Sequence, residues 1–332
     1  MLTTTLDTTL LLDLIKSQPR QIPFGSLEEN IYWNSFWRFL KSETHLQIYN
    51  FNSSVDFQGF EIFLNELTTG RNESEIHISE SPFSIPRNFK LGANIKPNNC
   101  FFINEPNKTS QLNYRKHNGY FFSFLEDYKK QYESLALLKL CKNLVIRENT
   151  RINILKKWSD ISPYLTPFTD MVFIDNYIFK DENLHDNNLI PLLKTLDKST
   201  PVGYNLFFVS YEDTKEKIDV NHVFTKMLKI RKENELKFEL GVFIAKSEFK
   251  EHDRGIFMNY LRIRSGDSFN YFGADGELLT NGTDIEFYSY AESMNSLNSS
   301  RILEDINTKI KRNIHKKGVF KGNPSNRLLN NG

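Results

Sequence analysis

Residues 252–270, H-D-R-G-I-F-M-N-Y-L-R-I-R-S-G-D-S-F-N, gather the side chains of this chain best suited to chemistry on a phosphate. His252, Arg254 and Asn259 follow the spacing H-x-R-x4-N, and six residues separate Asn259 from Gly266, which leads to Ser268 and Asn270. An imidazole can attack phosphorus, a guanidinium can neutralise charge developing on the equatorial oxygens, and hydroxyl and amide groups can donate to those same oxygens. Residues two apart on a strand project to one face, so a hairpin over residues 252–264 would present His252 and Arg254 together. Taken alone, His-Asp-Arg also suits a solvated turn at a strand end.

The elements ahead of this segment must place it. The runs M-V-F-I-D-N-Y-I-F (171–179), Y-N-L-F-F-V-S (204–210) and K-F-E-L-G-V-F-I-A (237–245) have strand length, and helical patterns around Leu189 to Leu196 and Val223 to Lys232 lie between them. This β-α-β-α-β order predicts one sheet over 171–272 with the motif at its edge. Phe173, Phe207, Val209, Phe238, Val242 and Ile244 should be buried in it.

The motif resembles the H-x-K-x4-D-x6-G-S signature of the phospholipase D superfamily, with Arg254 at the Lys position and Asn259 at the Asp position. The combination of D-x-Y-I, with Asp175 and Tyr177, and H-D-R looks most like the phospholipase-D-like C-terminal domain of MIT-domain proteins and its bacterial relatives. The resemblance covers roughly residues 165–290. It implies His252 as nucleophile, Arg254 as phosphate clamp, Asn259 as orienter of the imidazole, and Gly266, Ser268 and Asn270 as further phosphate contacts. Because one motif supplies half of the superfamily's site, hydrolysis would also require a homodimer in which two motifs meet. The MIT-associated domains hold anionic headgroups without catalysis, and bacterial proteins of this kind resemble accessory components of antiphage systems.

A chain of 332 residues is long enough for two domains, and a hydrophobic fraction of 39%, with 28 Phe, excludes a mostly disordered protein. The expected fold class is α/β, a mixed sheet flanked by helices. The expected division is an N-terminal α/β module at 1–150, the phospholipase-D-like region at 151–300, and a basic helix and tail at 301–332. In the N-terminal module, strands are expected at 45–51, 75–79 and 100–104, with a helix near Phe57 to Leu67. A long helix is expected from Gly119 to Lys142, and the N-terminal leucines read as a short packing helix capped by Asp7 or Thr8. No second H-x-K occurs there, so the module is either a degenerate half or a different fold.

Net charge is +1, so a polyanion site must be a local patch. Lys309, Lys311, Arg312, Lys316, Lys317, Lys321 and Arg327 stand in a C-terminal stretch without acidic residues, which continues a helix with Ile302, Leu303, Ile306, Ile310 and Ile314 on its apolar face. That stretch is either a phosphate-backbone contact or a solvated helix face running into a frayed end. Arg262 and Arg264 beside the motif favour the polyanion, with nucleic acid preferred to a lipid headgroup. Cys100 and Cys141 are expected as free buried thiols in a reducing cytoplasm. His185 and His222 read as surface or capping residues. Scattered histidines lack ligand spacing, so neither metal nor cofactor is expected. Two readings follow, a phosphate-binding module and a metal-independent nuclease.

Overall fold

The computed structural model describes residues 1–19, 27–51, 60–71, 74–83, 95–129, 131, 144–146, 155–212, 218–245, 254–279 and 284–330, and the protein is a mixed α/β fold built on two sheets. His252, Cys141 and most of the expected helical stretch beyond 131 lie outside the described residues.

The first sheet is five-stranded and parallel throughout. Its strands are β1 (Leu2–Asp7), β2 (Thr44–Tyr49), β3 (Ile76–Ile78), β4 (Asn99–Ile103) and β5 (Phe121–Phe124), in the order β3-β2-β1-β4-β5. The chain winds outward from β1 in one direction and resumes at β4 in the other, the doubly wound arrangement. Helices α1 (Thr8–Lys16), α2 (Leu27–Ser42), α3 (Phe60–Thr68) and α4 (Lys108–His117) cover it.

One sequence expectation is borne out and extended here, and one is corrected. The short N-terminal helix capped by Asp7 is present, and a strand precedes it, because three consecutive β-branched threonines suit a pleated, buried position. Thr4 Oγ1 meets Thr44 Oγ1 at 2.8 Å, and α1 begins only where the Asp7 carboxylate accepts the Thr9 N–H at 2.8 Å. Phe121–Phe124 is likewise a strand and not the start of a long helix. All of its residues are buried, and a short apolar run covered on both faces carries no period to distinguish the two.

Among the described residues the second sheet holds eight strands: β6 (Leu144–Ile146), β7 (Asp170–Ile174), β8 (Tyr204–Tyr211), β9 (Phe238–Ala245), β10 (Arg254–Phe257), β11 (Leu261–Ser265), β12 (Ile285–Ser289) and β13 (Phe320–Gly322). Their order is β13-β9-β8-β7-β10-β11-β12-β6, with β7, β8 and β9 parallel and every other pairing antiparallel. Helices α5 (Leu189–Ser199) and α6 (Val220–Glu233) pack on one face against Phe173, Phe208, Val242 and Ile256. Helices α7 (Ser293–Asn313) and α8 (Arg327–Asn330) pack on the other, against Val172, Phe207, Phe243 and Phe257. The six core residues expected from the sequence are all buried. The motif strand β10 lies inside the sheet between β7 and β11, however, and not at an edge.

The two sheets are joined by the turn of the β10–β11 hairpin. Tyr260 is fully buried in the core of the first sheet, where its hydroxyl donates to the Asn99 carbonyl and accepts the Phe121 N–H at 2.9 Å. Beside it, Gly119 approaches so closely that a Cβ there would stand 2.2 Å from the Phe168 carbonyl oxygen. The C-terminus closes the joint. Arg327 donates to the fully buried Asp170 carboxylate through Nε at 2.9 Å and a terminal nitrogen at 2.7 Å, and also to Tyr120 and Thr169 hydroxyls.

The C-terminal stretch is therefore no frayed end, since β13 pairs with β9 and Asn326 donates to the Met171 and Asn205 carbonyls. No helix among the described residues is long and apolar enough to cross a membrane. Arg327→Ala strands a buried carboxylate and should cost about 3 kcal/mol in urea unfolding, as broken buried ion pairs do. Lys317→Gln, at an exposed position, should leave the midpoint unchanged.

Candidate functional site

Asp175 follows β7 directly and organises the far end of the motif hairpin. The register that pairs Gly255 with Ile174 sets Arg254 opposite Asp175 when extended by one residue. Alternation then gives Arg254 the same side of the sheet as Ile256, the side covered by α5 and α6. The Asp175 carboxylate is fully buried. One oxygen accepts the Tyr177 and Ile178 N–H groups at 2.8 and 3.2 Å, and the other accepts the Ser268 hydroxyl at 2.9 Å and the Phe269 N–H at 2.8 Å. One side chain thereby fixes both the turn after β7 and the loop after β11.

Burial pushes the Asp175 carboxyl above the ordinary carboxylate range, against the pull of these donors and of Arg254. The neighbouring loop is closed by Ser265 Oγ against Tyr271 Oη at 2.9 Å.

Arg254 leans across this frame. Its guanidinium lies 4.9 Å from the centre of the Tyr177 ring, donates to the Gly266 carbonyl at 2.9 Å, and stands 3.7 Å from the exposed Asp267 carboxylate. Its Nε has no partner among the described residues. Lys180 brings a second cation to the same ring, 4.6 Å from its centre. Asn270 donates to the Ile178 carbonyl at a long 3.5 Å, and its buried Oδ1 has no partner among the described residues.

The structure thus brings Arg254, Gly266, Ser268 and Asn270 together around Asp175 and Tyr177. Asp175 and Tyr177 were visible in the D-x-Y-I pattern, but Lys180 and Asp267 carried no signal beyond their charge.

Asn259 is not part of this group, which corrects its expected role as orienter. It is fully buried at the opposite end of β10, where Oδ1 accepts the Thr169 and Asp170 N–H groups at 3.1 and 3.2 Å and Nδ2 donates to Thr169 Oγ1 at 3.1 Å. Every polar atom of that amide is committed to holding the hairpin turn against β7.

Arg262 and Arg264 also point away from Arg254, since they alternate with Ile263. Arg262 lies over the Phe257 ring and Arg264 pairs with Glu286 at 2.8 Å. The basic helix α7 covers that same opposite face. Lys309 there is spent on an ion pair with Asp305, while Lys311, Arg312, Lys316, Lys317 and Lys321 are exposed. Motif and tail therefore do not form one continuous basic surface. Of the other histidines, His222 is exposed beside Glu182, whereas His185 is buried, its Nε2 2.8 Å from the Ile178 carbonyl. Cys100 is a free, fully buried thiol whose pKa burial raises.

No protein-family model matches the chain, and a search of characterised proteins finds no match either.

Asp175→Asn places an amide nitrogen against N–H and O–H donors and should cost about 2 kcal/mol, more than the roughly 1 kcal/mol of Ser268→Ala. An acid whose folded pKa lies above its unfolded value contributes stability that is complete below the unfolded value and is lost as pH rises through the folded one. Wild-type unfolding free energy should accordingly fall relative to Asp175→Asn as pH is raised from about 4. A difference independent of pH would contradict the raised carboxyl.

Proposed function

We propose that the end of the β7–β10 pair is a phosphate-recognition site acting by binding rather than hydrolysis, with a nucleic-acid backbone as its partner. The observation that carries this reading is the placement of two cations, Arg254 and Lys180, on the single ring of Tyr177. Stacking on the ring orients the planar guanidinium. Asp267 is a loose counter-ion at 3.7 Å, which a phosphate can displace at little cost because the carboxylate is exposed.

Binding is favoured over cleavage because the amide expected to orient the His252 imidazole, Asn259, is engaged with Thr169 and Asp170 at the other end of the strand. Cleavage would also need a second copy of the motif to protonate the leaving oxygen, hence a homodimer; binding needs only one. On this reading the protein resembles the non-catalytic relatives of the phospholipase D superfamily and would serve as a recognition component, with bacterial antiphage defence as one setting.

Fluorescence anisotropy with a labelled single-stranded oligonucleotide tests it. Arg254→Ala should weaken binding about tenfold, and Arg254 and Lys180 should each contribute roughly 0.7 to the slope of log affinity against log salt. The oligonucleotide should stay intact with and without EDTA. Cleavage that survives EDTA and disappears in His252→Ala would establish the phosphodiesterase reading instead. Affinity unchanged in Arg254→Ala would remove the site altogether.

A further inference from the structure

At the opposite end of the β10–β11 hairpin, where α7 and α8 meet the first sheet, the protein holds a half-open cavity of about 290 Å³. Its polar lining includes His45, Lys96, Tyr290, Ser299 and Glu304. Tyr290 and Ser299 are the informative pair. They are 5% and 2% exposed; the phenol and the serine hydroxyl interact with each other, and neither finds a further partner among the described residues. Each hydroxyl can both donate and accept, so a pair bonded only to each other keeps hydrogen-bonding capacity that a ligand at the cavity can use.

The charge around them indicates which ligand. His45 Nδ1 accepts the Glu75 N–H at 3.1 Å, which leaves Nε2–H as the ring's donor and disfavours a second proton. Burial and the nearby Lys96 push the His45 pKa in the same direction, below its ordinary value. The cavity thus offers positive charge at Lys96 and at the Met1 ammonium, which donates to the Ser296 hydroxyl, together with neutral N–H and O–H donors, a set that suits a phosphate. Glu304 would repel a second anionic group but accepts hydroxyl donors, as carboxylates facing a ribose do. Leu303, Leu328 and Leu329 add an apolar wall, and the volume lies at the small end of ligand pockets.

We propose that this cavity binds a ribose phosphate monoester of mononucleotide size, its phosphate taken by Lys96, His45, Tyr290 and Ser299 and its ribose hydroxyls by Glu304. The site is separate from the Arg254 cluster at the other end of the same hairpin and does not depend on the reading of that cluster.

Isothermal titration calorimetry on the full chain, with adenosine 5′-monophosphate, ribose 5-phosphate, inorganic phosphate and adenosine as probes, tests it. Adenosine 5′-monophosphate should bind at one site, and adenosine at least about tenfold more weakly. Lys96→Gln should weaken the monophosphate about tenfold. Glu304→Gln should weaken both ribose phosphates while leaving or improving the affinity for inorganic phosphate. Tyr290→Phe removes one member of the hydroxyl pair and should shrink the Tm increase that the monophosphate produces; a hydroxyl with a purely structural role would lower the free Tm and leave that increase unchanged. Arg254→Ala should leave the monophosphate affinity unchanged. Absence of binding by both ribose phosphates at millimolar concentration overturns the proposal, as does affinity indifferent to Lys96→Gln. Loss of binding in Arg254→Ala would overturn it too, by assigning the phosphate to the other end of the hairpin.

Discussion

The carboxylate of Asp170, at the start of β7, is the charge around which both sheets are assembled. It is fully buried, and an isolated anion there would cost several kcal/mol, so the fold must bring it donors from elsewhere in the chain. Arg327 arrives from the C-terminus, Asn205 from β8 at 3.1 Å, and the Thr169 hydroxyl from the adjoining residue at 2.8 Å. The same Arg327 reaches Tyr120, which precedes β5 of the first sheet. One ion pair thus ties the centre of the second sheet, the edge of the first and the last helix into a single arrangement. Asn326 and Arg327 become as integral as the core strands.

This constraint divides the motif hairpin into ends with different tasks. At the turn, Asn259 satisfies the backbone beside Asp170 and Tyr260 inserts into the first sheet, so the amide and the phenol are consumed by assembly. At the other end, the strand emerges beside Asp175, whose donors set the geometry of two loops and leave Arg254 on the surface of Tyr177. The rigid end allows the other to be exact in position without being buried, because β10 is held between β7 and β11 along its length.

The strands and helices around the motif were legible in the sequence because their runs were long and bounded by turn residues. Phe173, Phe207, Val242 and Ile244 occupy the interior for the reason their spacing implied. Asn259 was misplaced by the same logic that placed Arg254. A linear spacing records how far apart residues are along the chain, and five residues beyond Arg254 a strand has reached the opposite end of its sheet. The threonines of β1 were overlooked because leucines flank them at helical intervals, and the helix that the leucines announce does follow, starting at Thr8. Arg327 could not be separated from the other basic residues near it, since only tertiary structure distinguishes a cation facing a buried carboxylate from one facing water.

That distinction also decides which positive charges are available to a polyanion. Arg264 is paired with Glu286, Lys309 with Asp305 and Arg327 with Asp170, so much of the basic character near the motif and the C-terminus is already spent inside the fold. Arg254 differs in kind. Its nearest carboxylate, Asp267, is exposed and at the margin of ion-pair distance, while its orientation comes from a ring and a carbonyl that a bound phosphate would leave in place. A cation oriented by a ring and a carbonyl, with only a long, exposed carboxylate contact, keeps much of its charge for a ligand, and Arg254 is so placed on the face of the sheet opposite Arg262 and Arg264.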